Sequence, residues 1–277
     1  MDSSKKIGFW SVSSIVVGGM IGTGVFMLPG RLAVFGKFGL WSWLITGIGA
    51  MFIALLFSSL CSRIPRTGGP HTYIEEAFGK KLGFIGAFGY WLAGWMSVPA
   101  ITIGAVSSFV SIFPNQDSFL FNLSIQLGLL WFIVLINLCG IYIAGVAEII
   151  FTILKVIPLI IVPILALPYA QFDKNVILLP EDTDTVKVLI QASVITIWGY
   201  LGVEAATTPA GSIQNPTKTI PRAIIFGTIV TTIIYMLGTF SLMGNIHGET
   251  LRGLSSPYSN IAKMVFGGNW DVFISLT

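Results

Sequence analysis

The stretch Gly18-Gly19-Met20-Ile21-Gly22-Thr23-Gly24-Val25-Phe26, followed by Pro29-Gly30, interrupts an apolar run near the start of the chain. A second interruption, Trp198-Gly199-Tyr200-Leu201-Gly202-Val203-Glu204, followed by Pro209-Ala210-Gly211, repeats the pattern further on. In hydrocarbon every backbone N–H and C=O needs a partner, so unwound backbone survives only where it lines a cavity or meets a ligand. Glycine-interrupted spans at corresponding places in two halves of a chain point to a transporter's substrate site. Gly18 and Gly22 also have the spacing of close helix packing. Four glycines in seven residues, with Pro29 behind them, exceed what packing needs.

Composition sets the setting. Charged residues make up 10% of the 277-residue chain and hydrophobic ones 54%, with a mean hydropathy of +0.86. A soluble domain carries about 25% charge, so the chain reads as a polytopic integral membrane protein, and its long apolar stretches make it an all-α one. The net charge of +3 is spread over loops and gives no nucleic-acid surface. Cys61 and Cys139 read as two buried thiols. His71 and His247 have no metal-ligand company, and nothing in the sequence calls for a cofactor.

A membrane helix needs about 20 mostly apolar residues. Seven such stretches run Ile7–Phe35 (broken), Leu40–Ile64, Leu82–Phe113, Phe119–Ile141, Val146–Tyr169, Val186–Ala210 (broken) and Ile220–Met243, and an eighth begins near Trp270. With the N-terminus in the cytoplasm, Lys5, Lys6, Arg63, Arg66, Lys80, Lys81, Lys218 and Arg222 fall inside. Arg31, Lys37, Lys174, Lys187, Arg252 and Lys263 fall outside. The excess is small, but it is densest between the second and third spans and follows the positive-inside rule.

Unwound spans offer chemistry without charged side chains. A helix that resumes near Val25 presents free N–H groups and a positive dipole end to a carboxylate. A helix that stops near Gly19 presents free carbonyls to an ammonium, and the break at Gly199–Gly202 adds more. Trp198, one residue before the second break, can cover a bound substrate or face a cation; a packing or interfacial role is the plainer alternative. Glu204 and Lys155 are ionisable residues inside spans, costly there and functional by default. Either can carry a proton, and Lys155 can equally serve as a fixed cation on the carbonyls of a broken span. The chain shows no Gly-x-Ser-x-Gly nucleophile, no His-Glu-x-x-His pair and no paired aspartates in spans, so an enzyme is not expected.

Three motifs together resemble the amino acid–polyamine–organocation (APC) superfamily, in particular its basic amino acid/polyamine antiporters. They are Gly18 to Gly30; Pro65-Arg66-Thr67-Gly68-Gly69-Pro70-His71-Thr72-Tyr73 leading to Ala77-Phe78-Gly79; and Trp198 to Glu204, continued by Gln214-Asn215-Pro216 and Ile220-Pro221-Arg222-Ala223. The resemblance implies an inverted-repeat fold with broken helices 1 and 6, a cytoplasmic N-terminus, and a bacterial inner-membrane location. It implies one transmembrane domain over 1–277, with a first five-helix repeat at about 7–169 and part of a second at about 186–277. Ile21, Gly22, Thr23 and Gly24 match the stretch that holds a substrate carboxylate, and the backbone of Met20, Trp198 and Leu201 matches the acceptors of its amino group. Gly202 belongs to the second break. Glu204 and Tyr90 match an acid implicated in pH response and its tyrosine neighbour.

Lys155 departs from the antiporters and resembles the lysine of proton-coupled carriers; Val98 stands where arginine-selective members carry asparagine. Symport and exchange therefore both stay open. The expected partners are an amino acid or amine, protons and the lipid bilayer, with no nucleic acid. Only part of the second repeat is present. A truncated or split permease, inactive alone and completed by a separately encoded C-terminal half or a second copy, is the alternative expectation.

Overall fold

The structure is a computed structural model that describes residues 6–110, 118–180, 182–254, 256–267 and 270. Helices follow in the order α1 (Phe9–Met20), α2 (Thr23–Leu32), α3 (Phe38–Arg63), α4 (Pro70–Phe78), α5 (Lys80–Val110), α6 (Phe119–Leu138), α7 (Ile141–Ala166), α8 (Phe172–Asn175), α9 (Thr185–Thr196), α10 (Pro216–Asn245), α11 (Gly248–Gly253) and α12 (Pro257–Phe266). Among the described residues there is no strand, only an isolated bridge between Ile7 and Ile213. Phe38–Arg63, Lys80–Val106, Phe119–Leu138, Ile141–Tyr169, Thr185–Thr207 and Pro216–Asn245 are long and apolar enough to cross a membrane, and α1 with α2 makes a seventh, interrupted span. The expected eighth span lies outside the described residues apart from Trp270.

The second interrupted span differs from expectation in its later half. After α9 the chain forms 3-10 turns at Ile197–Tyr200, Ala205–Thr207 and Ala210–Ser212, and α-helix resumes only at Pro216. Two local causes act here. Gly202 takes φ +101°, a region glycine enters readily and other residues avoid. Pro209 then lacks the N–H an α-helix would use.

The described chain divides into two compact units. Unit one comprises Met1–Gly19, Phe52–Phe151 and Gly202–Gly227; unit two comprises Met20–Met51, Thr152–Leu201 and Thr228–Thr277. The chain passes from one to the other at Gly19–Met20 and at Leu201–Gly202, inside both interruptions.

In unit one the non-helical segment after Gly202 is clasped from two sides. Ile7 N donates to Ser212 O at 3.0 Å and Gln214 N to Ile7 O at 3.0 Å. Gln214 Nε2 donates to Lys6 O at 2.9 Å. Across from this, Gly68 N donates to Thr208 O at 2.9 Å and Gly211 N to Thr67 Oγ1 at 3.0 Å. The Thr67-Gly68-Gly69-Pro70 motif is thereby explained. Gly68 and Gly69 take φ of +132° and +70°, a Cβ on Gly69 would lie 3.0 Å from the hydroxyls of Thr207 and Thr208, and Pro70 opens α4 at a position where its missing N–H costs nothing. Cys61 is buried as expected, whereas Cys139 is exposed just past the end of α6.

Unit two is built around the later part of α10, from Thr228 onward. Thr228, Thr231, Thr239 and Ser241 are fully buried on it; Thr239 and Ser241 bond neighbouring helices, as short hydroxyls at membrane depth commonly do, whereas the Thr231 hydroxyl has no partner among the described residues. Ser241 Oγ donates to Pro163 O at 2.9 Å and Asn245 Nδ2 to Ala166 O at 3.1 Å, tying α10 to the last turns of the proline-bearing α7. Trp43 of α3 is 1% exposed. Its Nε1 donates to Thr239 Oγ1 at 2.8 Å, and its ring lies 4.6 Å from that of Tyr235.

Gly199 fits beneath these rings. A Cβ there would lie 2.9 Å from both Trp43 Cζ3 and Tyr235 Cε2, whereas one on Gly49 of α3 meets no atom within 4 Å. Gly199→Ala is therefore expected to destabilise the protein by about 1–3 kcal/mol. Thermal unfolding of the detergent-purified protein should show a lower Tm for Gly199→Ala and no loss for Gly49→Ala; equal Tm values would contradict this packing.

Candidate functional site

At the first interruption α1 stops at Met20 and α2 starts at Thr23. Gly22, between them, is extended at φ −105° and ψ −173°. Its N–H turns back to Met20 O at 3.1 Å, and Val25 N donates to Gly22 O at 3.2 Å. The first N–H groups of α2 have no acceptor within their own helix and sit at its positive end. Met20 and Ile21 are buried, at 3% and 1% exposure; Gly22 is half-buried and Gly24 exposed. A Cβ built on Gly22 or Gly24 meets nothing within 4 Å. Packing accounts for neither glycine; both leave open space beside the start of a helix.

At the second interruption, Leu201 is extended and its N–H bonds Trp198 O at 3.3 Å. Trp198 and Leu201 are 69% and 58% exposed. Gly199 and Tyr200 beside them are buried. Tyr200 donates to Thr232 Oγ1 at 3.0 Å. The Tyr235 hydroxyl lies 2.8 Å from Met20 O and 2.8 Å from Gly199 O. One side chain of α10 thus reaches a carbonyl from each interrupted span.

Tyr235 and Trp43 were not among the residues singled out from sequence. A signal existed: Tyr235 stands in the apolar run Thr231-Thr232-Ile233-Ile234-Tyr235-Met236, and a phenol hydroxyl at membrane depth needs a partner.

In unit one, Gly202 meets Gly19. A Cβ on Gly202 would lie 2.8 Å from the Gly19 carbonyl carbon and oxygen. Glu204 O accepts from Thr207 N at 2.9 Å and from Thr207 Oγ1 at 2.6 Å. The Tyr90 hydroxyl makes a long 3.5 Å contact with Glu204 Oε1, so the two residues paired by resemblance adjoin. Thr23 opens α2. Lys155 is half-buried near the middle of α7, in unit two. A separate apolar groove of about 500 Å³ in unit two is lined by Lys37, Leu40, Trp41, Ile233, Met236, Leu237 and Phe240; none of the expected site residues borders it.

The sequence matches the amino acid permease family over residues 7–276. The chain belongs to that family, within the APC superfamily. With its apolar helices, this makes it an integral membrane protein. It is similar to a cadaverine/lysine antiporter of Escherichia coli (strain K12), 30% identical over 276 residues, covering 98% of this chain and 61% of that protein. A putative arginine/ornithine antiporter of Bacillus subtilis (strain 168) is 29% identical over 306 residues, covering 100% of this chain and 65% of the relative. The serine/threonine exchanger SteT of the same organism is 30% identical over 283 residues, covering 98% and 62%. The permease chain thus spans roughly six-tenths of the length of these relatives.

The open space at Gly22 separates folding from binding. Gly22→Leu, made in the whole protein that carries this chain, should insert and purify like the parent, because its Cβ has room. It should fail to bind an amino acid, because the side chain fills the space beside the α2 N-terminus. Parent-like affinity by calorimetry would remove Gly22 from the site.

Proposed function

We propose that this chain supplies the substrate-holding segments of a secondary transporter of amino acids or the amines derived from them, working by exchange or with protons. The observation that carries the proposal is the family match over 7–276 combined with open glycines at the first interruption and helix-terminal carbonyls at both. The relatives named for exchange handle cadaverine and lysine, arginine and ornithine, or serine and threonine. All of these amino acids carry an α-ammonium and a carboxylate, which explains why a backbone site serves such different side chains.

In this reading Ile21, Gly22, Thr23 and Gly24 present N–H groups at the positive end of α2 to the carboxylate. The carbonyls of Met20, Trp198 and Leu201 accept from the ammonium, and the exposed Trp198 ring covers the substrate. Gly202 lets backbone approach backbone at Gly19. Glu204 with Tyr90, or Lys155, carries the proton; Lys155 serves symport and Glu204 acid-activated exchange. The chain forms one transmembrane domain with a first repeat at 7–169 and part of a second at 186–277. Its N-terminus is cytoplasmic, and the membrane is the bacterial inner membrane, as the bacterial relatives suggest.

Transport itself is assigned to the whole protein, because the relatives are longer than the matched chain. The remaining segments reside on the same polypeptide, on a separately encoded C-terminal half, or on a second copy. A chain of this length that does not transport alone is the second reading, and one experiment addresses both.

Proteoliposomes holding the whole protein should take up lysine, arginine, ornithine, putrescine or serine saturably and with a pH dependence. That dependence should flatten in Glu204→Gln or in Lys155→Ala, whichever residue carries the proton. The 277-residue chain reconstituted alone should show no saturable uptake. Unaltered pH profiles in both variants would exclude both residues as the coupling group, and saturable uptake by the chain alone would overturn the second reading.

A further inference from the structure

The Tyr235 hydroxyl has one proton and two carbonyl neighbours, Met20 O and Gly199 O, each at 2.8 Å. Met20 is the last residue of α1 and Gly199 lies in the 3-10 turn that continues α9. Each carbonyl therefore sits at the negative end of a helical segment, and two such ends repel unless a donor lies between them. The surroundings hold that donor in place. Tyr235 is 1% exposed. Its ring packs at 4.6 Å on Trp43, which is itself fixed by its 2.8 Å bond to Thr239 Oγ1. A ring so enclosed has no second rotamer to offer.

The two carbonyls are not equivalent. Met20 O already accepts from Gly22 N at 3.1 Å; its second lone pair is the one facing Tyr235. A carbonyl has two lone pairs, so an incoming ammonium N–H at Met20 competes with the tyrosine there. Because Gly199 O lies at the same distance, the tyrosine proton can pass wholly to Gly199 as the ammonium arrives, and no buried hydroxyl is left without an acceptor.

We propose that Tyr235 is a positioning residue for the amine subsite. It fixes the direction of the Met20 carbonyl in the empty protein and releases that carbonyl to a substrate ammonium by shifting its own proton to Gly199. The proposal rests on the transporter reading above. It adds that selection for the α-ammonium is set by a residue that never touches the substrate. Without the hydroxyl the Met20 segment loses its tether, and binding must restore an orientation that the parent holds ready. A ligand lacking the α-ammonium does not use this carbonyl and should be indifferent.

The test is isothermal calorimetry on the whole protein with matched probes: L-lysine against 6-aminohexanoate, and L-serine against 3-hydroxypropanoate. Each second compound is the first without its α-ammonium. For whichever amino acid the parent binds, Tyr235→Phe should weaken affinity by about tenfold, in line with the loss of one preorganised hydrogen bond. The affinity for the des-amino probe should stay unchanged, so the preference between the two shrinks. A merely structural role lowers both together and contradicts the proposal, as does an unchanged preference.

If Tyr235→Phe cannot be purified, Thr239→Val serves, since it keeps the hydroxyl but frees the Trp43 backing; its preference should shrink in the same sense and by less. Unchanged preference in that variant also overturns the proposal. A parent that binds none of lysine, arginine, ornithine, putrescine and serine contradicts the transporter reading itself, an outcome distinct from parent binding with an unaltered preference in the variant.

Discussion

The Tyr235 hydroxyl, 2.8 Å from a carbonyl of each interrupted span, answers the constraint under which the rest of the chain is built. Hydrocarbon offers no donor to a freed carbonyl. A chain that unwinds inside a membrane must bring its own, and this one does so from α10. The surrounding contacts serve that placement. Trp43 backs the ring, Thr239 holds Trp43, and Tyr200 is tied to Thr232 on the same helix. Polar side chains on an apolar helix thus replace the water that a soluble protein would use.

The glycines of the two interruptions do three different things. Gly19 and Gly202 let backbone approach backbone, with Gly202 also needing its positive φ. Gly199 makes room for two aromatic rings. Gly22 and Gly24 make room for nothing in the protein, and it is this emptiness that points outward to a ligand. A similar division of labour holds in the Thr67–Pro70 motif, where Gly68 and Gly69 shape the turn and Thr67 bonds Gly211.

Much of the fold was legible because a membrane helix is a long apolar run and little else. The expected spans at Leu40–Ile64 and Ile220–Met243 became Phe38–Arg63 and Pro216–Asn245, differing by the few residues that fray or cap. The first interruption was legible for the opposite reason: four glycines are conspicuous against such a background. The later half of the second was not, because Gly202 and Pro209 act through backbone angles that hydropathy does not register. Tyr235 and Trp43 escaped because an aromatic in an apolar run counts as one more apolar residue. Their roles depend on contacts from Trp43 to Thr239 and from Tyr235 to Met20, which only folding brings together. Cys139 was misjudged for a related reason: apolar neighbours in sequence do not bury a residue just past a helix end.

The central claim is that helix-end carbonyls and N–H groups, with no charged side chain, hold the head of an amino acid. The most direct measurement is a high-resolution structure of the whole protein with a bound amino acid. The account predicts its ammonium nitrogen within hydrogen-bond distance, about 2.7–3.2 Å, of the Met20 carbonyl, and its carboxylate against the first N–H groups of α2. An amino acid whose ammonium is held instead by a carboxylate side chain, with the Met20 carbonyl still occupied by Tyr235 and Gly22 N, would contradict it.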